Sequence, residues 1–289
     1  MSSGNVAPRR RKFNMAAAKS AIVACVSCAL SFLCSLTGLA LQPPLTSCLR
    51  WMLGFSSPKA TATATLAMGL STFAAALAFV AQLAGHSAAP GYTALSFAEH
   101  GTILMVSAIA GVLAAMPLSR AGKRTDTRRL FHMLGVGLTS VVLFQAAHQS
   151  VFNAPHTGGV GVLRFAATGF GASWLNAVLG LPGGLSIVPA LYYLAGVPAN
   201  QSVALSLLVI GLGCVPAMVI SSKSGLGDRQ ITKWCSFGAA LGGLFAAMLL
   251  WRLDPKAVML IFAALGIFLC AREVAMSVSS GGVASDPAS

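Results

Sequence analysis

Acidic residues are scarce in this chain. Six of its 289 residues are Asp or Glu, and none precedes Glu99. Charged residues of both signs amount to 9%, against roughly 25% in an average soluble domain. A water-soluble fold is excluded on that ground, because too few side chains could face water. No hydrophilic stretch is long enough to form a separate soluble domain, so any function resides in membrane segments or in the short loops between them. Catalytic constellations are missing too: no grouping of serine, cysteine, histidine or carboxylate has the spacing of a nucleophile with its base, or of a metal site. The chain reads as a non-enzyme without a cofactor. The glycine-rich stretch "GVGVLRFAATGFGAS" (159–173) follows no strand, which removes the context a phosphate loop requires.

Hydrophobic residues make up 56% of the sequence. Apolar stretches near 20–41, 60–84, 98–118, 130–147, 163–180, 201–221, 234–251 and 257–271 approach the roughly 20 residues that a straight span needs. Two shorter ones, 41–54 and 183–197, each follow a span directly. The net charge of +13 comes from 19 Lys and Arg residues that cluster beside spans. Arg9, Arg10, Arg11, Lys12 and Lys19 precede the first span, and Arg120, Lys123, Arg124, Arg128 and Arg129 share one loop. That placement sets orientation and attracts anionic lipid headgroups. It gives no reason to expect nucleic acid. The basic N-terminus resembles a signal peptide or organelle presequence, but its apolar run of about 22 residues exceeds the usual 7 to 15, which favours a retained span. The seven cysteines lie in or beside apolar segments, so the Cys25-x-x-Cys28 pair reads as small packing residues rather than a redox dithiol.

Shifted against itself by 142 positions, the sequence aligns Gly38 with Gly180, Leu39 with Leu181, Leu49 with Leu191, Gly54 with Gly196, Ala62 with Ala204, Gly69 with Gly211 and Leu70 with Leu212. At slightly smaller shifts "AGVLAAM" (110–116) resembles "LGGLFAA" (241–247), and "DTRRLF" (126–131) resembles "DPKAVM" (254–259). This is a diverged internal repeat of about five segments per copy. Loop charge separates the copies. The loop 85–97 has no Lys or Arg, while its counterpart 222–233 has Lys223, Arg229 and Lys233. The loop 119–129 has five, while 252–256 has two offset by Asp254. Equivalent loops are therefore expected on opposite sides of the membrane, an inversion that five crossings per copy would produce.

Between the first two segments of the second copy stands "GLPGGLSIVP" (180–189), with three glycines and two prolines. Such a break frees backbone N–H and C=O groups, tolerated at membrane depth only where protein or a watery cavity receives them. Inverted repeats with paired breaks near the midplane are a recurring transporter architecture, and freed N–H groups can bind an anion. Close helix packing through Gly183 and Gly184 is the competing explanation.

The longer stretch "GLPGGLSIVPALYYLAGVPANQSVALSL" (180–207) resembles the signature of the sulfite exporter TauE/SafE family of membrane permeases. Gly180, Gly183, Gly184, Val188, Pro189, Gly196, Pro198, Val203, Ala204, Ser206 and Leu207 fit its pattern, while Pro182, Leu185 and Leu205 depart from it. In the first copy, "GLALQPPLTS" (38–47) keeps the leading glycine but has Gln42, Pro43 and Pro44 in place of the others. "GFSSPKATATAT" (54–65) keeps Gly54 and Thr63. The resemblance implies movement of small anions, notably sulfite, sulfonates and related organosulfur compounds, coupled to an ion gradient.

An oxyanion carrier must replace hydration with hydroxyl and backbone N–H donors. Thr61, Thr63 and Thr65 alternate beside the first break, and Ser202 and Ser206 share a helical face after the second. Back-bonding to their own helix carbonyls is the alternative for each. Arg50 is a basic residue inside a short segment, suited either to an anion path or to snorkelling toward the interface. Glu99 and His100 open the fourth span. They could carry a coupled proton, although a carboxylate at a helix start is explained by the dipole.

The expectation is an all-α polytopic membrane protein with two inverted-topology repeats of about five helical segments, each with a broken or short second segment. A basic tail (1–19), a first repeat (20–147), an inter-repeat loop (148–162), a second repeat (163–272) and a disordered tail (273–289) divide the chain. The expected function is secondary transport of a small anion by alternating access, with lipid and a coupling proton or ion as the other partners. The expected substrate contacts are Gly180, Gly183, Gly184, Pro189, Ser202, Ser206, Gln42, Thr61, Thr63 and Arg50. A membrane scaffold that keeps the fold without transport is the alternative. A multi-pass location in a plasma or cell inner membrane with a cytoplasmic N-terminus is expected, an organellar membrane being the other option.

Overall fold

The computed structural model describes residues 7–85, 94–121, 162–179, 184–195 and 197–281. Among these residues the regular structure is helical throughout: α1 (Ala7–Thr37), α2 (Gln42–Leu53), α3 (Ser57–Gly85), α4 (Ala94–Ala121), α5 (Val162–Leu179), α6 (Gly184–Tyr193), α7 (Ala199–Gly213), α8 (Val215–Ser224), α9 (Arg229–Leu250) and α10 (Pro255–Gly281). Among the described residues four stretches are long and apolar enough to cross a membrane: Lys19–Thr37, Ser57–Gln82, Ala199–Ser224 and Arg229–Leu250. Gly101–Ala114, Gly184–Tyr193 and Pro255–Phe268 are shorter apolar helices. Side-chain distribution is that of a membrane protein. Leu77, Val106, Leu163, Phe245 and Phe268 face outward, while Ser27, Ser31, Thr63, Ser202 and Ser206 are buried.

Local chemistry explains the boundaries. Helix α1 ends in a Schellman turn: Gly38 adopts φ 71, Leu39 N–H donates to Cys34 O at 2.8 Å and Gly38 N–H donates to Ser35 O at 3.4 Å. Helix α2 tolerates Pro43 and Pro44 because they fall in its first turn, where N–H groups have no intrahelical acceptor. It stops at Gly54, whose left-handed backbone (φ 64) returns an N–H to Arg50 O. Asp228 caps α9 by accepting from the amides of Gln230 and Ile231.

The repeat is visible in the helix register. Helix ends at Thr37 and Leu179, starts at Gln42 and Gly184, and starts at Ser57 and Ala199 are each 142 positions apart. Thus α1, α2, α3 and α4 correspond to α5, α6, α7–α8 and α9. The fifth segment of the first copy, 130–147, lies outside the described residues; α10 is the fifth of the second.

The copies are interleaved. Gly238 of α9 lies against Ala24 of α1, and Gly242 lies against Cys28 and Phe32, so α1 and α9 run parallel with backbones in contact. In the other pair, Gly169 of α5 lies against Leu104 and Ser107 of α4, and Gly111 lies against Phe170 and Trp174. Cys28 and Phe32 are the repeat equivalents of Phe170 and Trp174, and Gly111 and Gly242 hold the same place in the two related heptapeptides. One helix-to-helix contact has been built twice, each time between the first helix of one copy and the fourth of the other. Small residues permit it, since van der Waals packing must hold membrane helices together without a hydrophobic driving force.

At the centre, Gly69 of α3 lies against Met218 of α8, and Gly211 of α7 against Thr72 of α3. Repeat-equivalent glycines thus line one crossing, each facing a side chain of the opposite helix, and α3 runs antiparallel to its counterpart.

Several boundaries differ from the sequence reading. The run 201–221 lies within one span, Ala199–Ser224, but carries a joint at Cys214 between α7 and α8, where Pro216 in the first turn of α8 has no N–H for the Leu212 carbonyl. Helix α1 starts at Ala7, within the stretch assigned to the basic tail, and α10 continues to Gly281, past position 272. Alanine, arginine and methionine are good helix formers, and the N-terminal extension is rich in them. Helix α4 starts at Ala94, which places Glu99 in its second turn rather than at its cap.

Candidate functional site

The two breaks meet. The turn Gly38–Leu39 after α1 lies against the first residue of α6: a Cβ on Gly184 would strike the Gly38 carbonyl and stand 2.9 Å from Leu39 Cα. A Cβ on Gly38 would stand 2.9 Å from Val188 Cγ2, 3.3 Å from Val203 Cα and 3.4 Å from Ser206 Cβ. The Ser206 hydroxyl donates to the Gly38 carbonyl at 3.0 Å, joining α7 of the second copy to the break of the first. A seam between the copies is therefore built from bare backbone, one hydroxyl and the side chain of Val188.

The other expected residues divide into three groups. Ser202, buried on the same face of α7, donates to the Val197 carbonyl at 3.1 Å in the turn that precedes its own helix. Pro189 is buried within α6 and has no N–H to offer the Leu185 carbonyl, so the short helix is weakened beside the seam. Gln42, the first residue of α2 and the repeat equivalent of Gly184, is half-buried. Along α3, Thr61 is half-buried and Thr63 fully buried. Thr65 back-bonds to the Thr61 carbonyl at 2.8 Å, as the alternative reading has it. Thr63 instead receives the backbone N–H of Asp228 at 3.4 Å, a contact between the copies.

Arg50 is not brought to the seam. Leu45 and Leu49 turn into the core, leaving Arg50 exposed in the last turn of α2 beside the exposed Trp51, where a cation is favoured by the helix dipole. Gly180 and Gly183 lie outside the described residues.

In this conformation the hydroxyls of Ser202, Ser206 and Thr65 give their protons to backbone carbonyls. Two features went unread in the sequence. Gln201, 2% exposed, stands between Asn200 and Ser202 with Oε1 unpartnered among the described residues. Lys59, the repeat equivalent of Gln201, forms a salt bridge to Asp228 with Nζ 3.1 Å from Oδ2. The 142-residue offset could have paired Lys59 with Gln201, but nothing local links Lys59 to a carboxylate 169 positions away.

Residues 165–284 match the family model described as Sulfite exporter TauE/SafE. This is the family that the motif across α6 and α7 resembles. The matched region holds Gly184, Pro189, Ser202 and Ser206, whereas Gly38 and the threonines of α3 belong to the first copy, before the match begins. The TauE/SafE family is one of membrane transporters for sulfite and related sulfur compounds, and with the apolar helices the match makes the chain an integral membrane protein. No curated protein matches the chain.

Proposed function

We propose that the chain is a secondary transporter that moves a small oxyanion, sulfite, a sulfonate or a related organosulfur compound, by alternating access. The observation that carries this reading is the meeting of the two breaks, where Gly38, Gly184 and Ser206 come from different copies and touch through backbone and hydroxyl. Inverted-repeat transporters bind substrate where such breaks face one another, because freed backbone groups and small side chains can exchange protein contacts for substrate contacts. Parallel swapped helices, α1 with α9 and α4 with α5, give two small-residue interfaces along which one group of helices can rock against the other. The substrate would be held by hydroxyl and N–H donors, with coupling to a proton or another ion.

Flux tests the reading. Proteoliposomes holding the purified chain are loaded and assayed with sulfite, sulfate, thiosulfate and a small sulfonate, with and without an imposed pH gradient. Saturable, gradient-driven movement of one of them is expected. The family match covers one copy, and the other carries Gln42, Pro43 and Pro44 at its break, which favours a scaffold as the second reading. Absence of flux for all four anions from folded protein, together with a stably bound partner, would establish that scaffold instead.

A further inference from the structure

One residue of the second copy is held by two of the first. Asp228, the cap of α9, pairs through Oδ2 with Lys59 Nζ at 3.1 Å, and its backbone N–H reaches Thr63 Oγ1 at 3.4 Å. Lys59 Nζ also stands 4.3 Å from the centroid of the Phe55 ring, in the link between α2 and α3. The other carboxylate oxygen, Oδ1, accepts from the amides of Gln230 and Ile231 at 3.2 and 3.1 Å.

Two properties set this contact apart from a structural ion pair. A lysine in the first turn of a helix opposes the dipole, so Lys59 gives α3 nothing unless an anion stands beside it. The charged side chains are 37% and 32% exposed and stand where α3 and α9 begin, so opening the pair leaves neither charge enclosed in protein. Such a pair is weak enough to break in every cycle and directional enough to fix the closed arrangement. Thr63, fully buried, lies directly behind it on α3. At the repeat-equivalent position α7 carries neutral Gln201, so the device belongs to one end of the bundle.

We propose that Lys59 and Asp228, backed by Phe55 and Thr63, form a latch between the copies that closes one face of the transporter and opens when the bundle turns to that face. This rests on the alternating-access reading. The test is labelling of Thr63→Cys by a membrane-impermeant thiol reagent, read at that position by peptide mass in the full chain in proteoliposomes. Slow labelling is expected in the otherwise native chain and in Lys59→Arg, which preserves the pair. Labelling should be roughly threefold to tenfold faster in Lys59→Gln and in Asp228→Asn, since Asn retains the helix cap and loses the charge. The double variant should label no faster than either single one. Unchanged rates in both single variants, or additive acceleration in the double, would overturn the latch. Should Thr63→Cys fail to fold, amide exchange across 57–66 and 225–232 in the native-threonine variants gives the same two outcomes. Flux of the chain with its native threonine separates the two readings: unaltered labelling where that chain transports removes the latch alone, whereas a labelling response where that chain moves none of the four anions removes the transport reading.

Discussion

Gly184 approaches the Gly38 carbonyl so closely that a single methyl group on it would strike that oxygen and crowd Leu39 Cα. Neither neighbour is a side chain that could swing aside. Substitution by alanine should therefore displace the first turn of α6 from the break of the first copy, at a cost of about 1–3 kcal/mol for overpacking. Gly184→Ala is expected to lower thermal stability in detergent and to cut anion flux at least tenfold, and Gly184→Leu to abolish flux. Gly171→Ala on α5, where an added Cβ meets nothing within 4 Å, is the control and should behave as the native protein in both assays. Normal flux in Gly184→Ala would remove the seam from the substrate path.

The hydroxyl of Ser206 is bonded to that same carbonyl across the two copies. Ser206→Ala leaves the Gly38 oxygen without this donor in a fully buried place, a loss of about 1–3 kcal/mol. A lower unfolding midpoint is expected, and also weaker substrate affinity, because the same proton is the one an oxyanion would accept. A rise in KM with kcat little changed would mark Ser206 as a substrate ligand. A change in stability alone would mark it as a strut.

How far the sequence discloses this arrangement depends on the scale of the feature. Glycine and proline punctuate the chain, so the breaks at 38–44 and 180–189 and the 142-residue offset are legible from residue types alone. Partner choice is not. Gly111 and Gly242 can be aligned with each other, but nothing in their neighbourhoods says that one packs on α5 and the other on α1, since packing between helices depends on which faces meet in space. Pro216 is hidden within an apolar run that reads as one span. Arg50, left open between an anion path and snorkelling, shows a related limit: hydropathy locates a residue within a segment, whereas exposure depends on rotation about the helix axis, which Leu45 and Leu49 decide.

The doubled contact predicts symmetric damage. Gly111→Leu and Gly242→Leu would each drive a side chain into backbone atoms, of Phe170 and Trp174 in one case and of Cys28 and Phe32 in the other. Both should lower the unfolding midpoint by similar amounts. Their effects should add in the double variant, because the sites share no partner residues. A large effect at one site with none at the other would show that the two interfaces do not bear load equally.

Asp228 confers a defined acid sensitivity. Burial pushes its carboxyl up, but the amide of Ile231, Lys59 and the amide of Gln230 outweigh that and hold it below the usual carboxylate value. A carboxyl whose folded value is depressed stabilises the fold above its unfolded pKa and loses that contribution as pH falls through the folded one. The contribution is thus complete at neutral pH and disappears only in acid, below the ordinary carboxylate range. Acid unfolding followed by helical signal should differ between native chain and Asp228→Asn at neutral pH, and the two should converge at the acid end.

Orientation offers the most direct check on the inverted reading. Helices α3 and α9 run side by side in the same direction, with Lys59 beside Asp228 at their starts and Phe79 stacked on Trp251 at their far ends, ring centroids 4.9 Å apart. The 22 residues of α9 separate those ends by about 33 Å, the thickness of a bilayer core. Ser222 stands at the end of α8 that leads to Asp228, so it belongs to the Lys59 end. The chain leaves α3 at the Trp251 end, and Ser87 follows that exit by sequence. Single cysteines at Ser222 and Ser87 should therefore react with an impermeant reagent from opposite faces of the membrane, as the loop charges also require. Reaction of both from the same face would mean that α3 does not cross, and the inverted pair of copies would have to be abandoned.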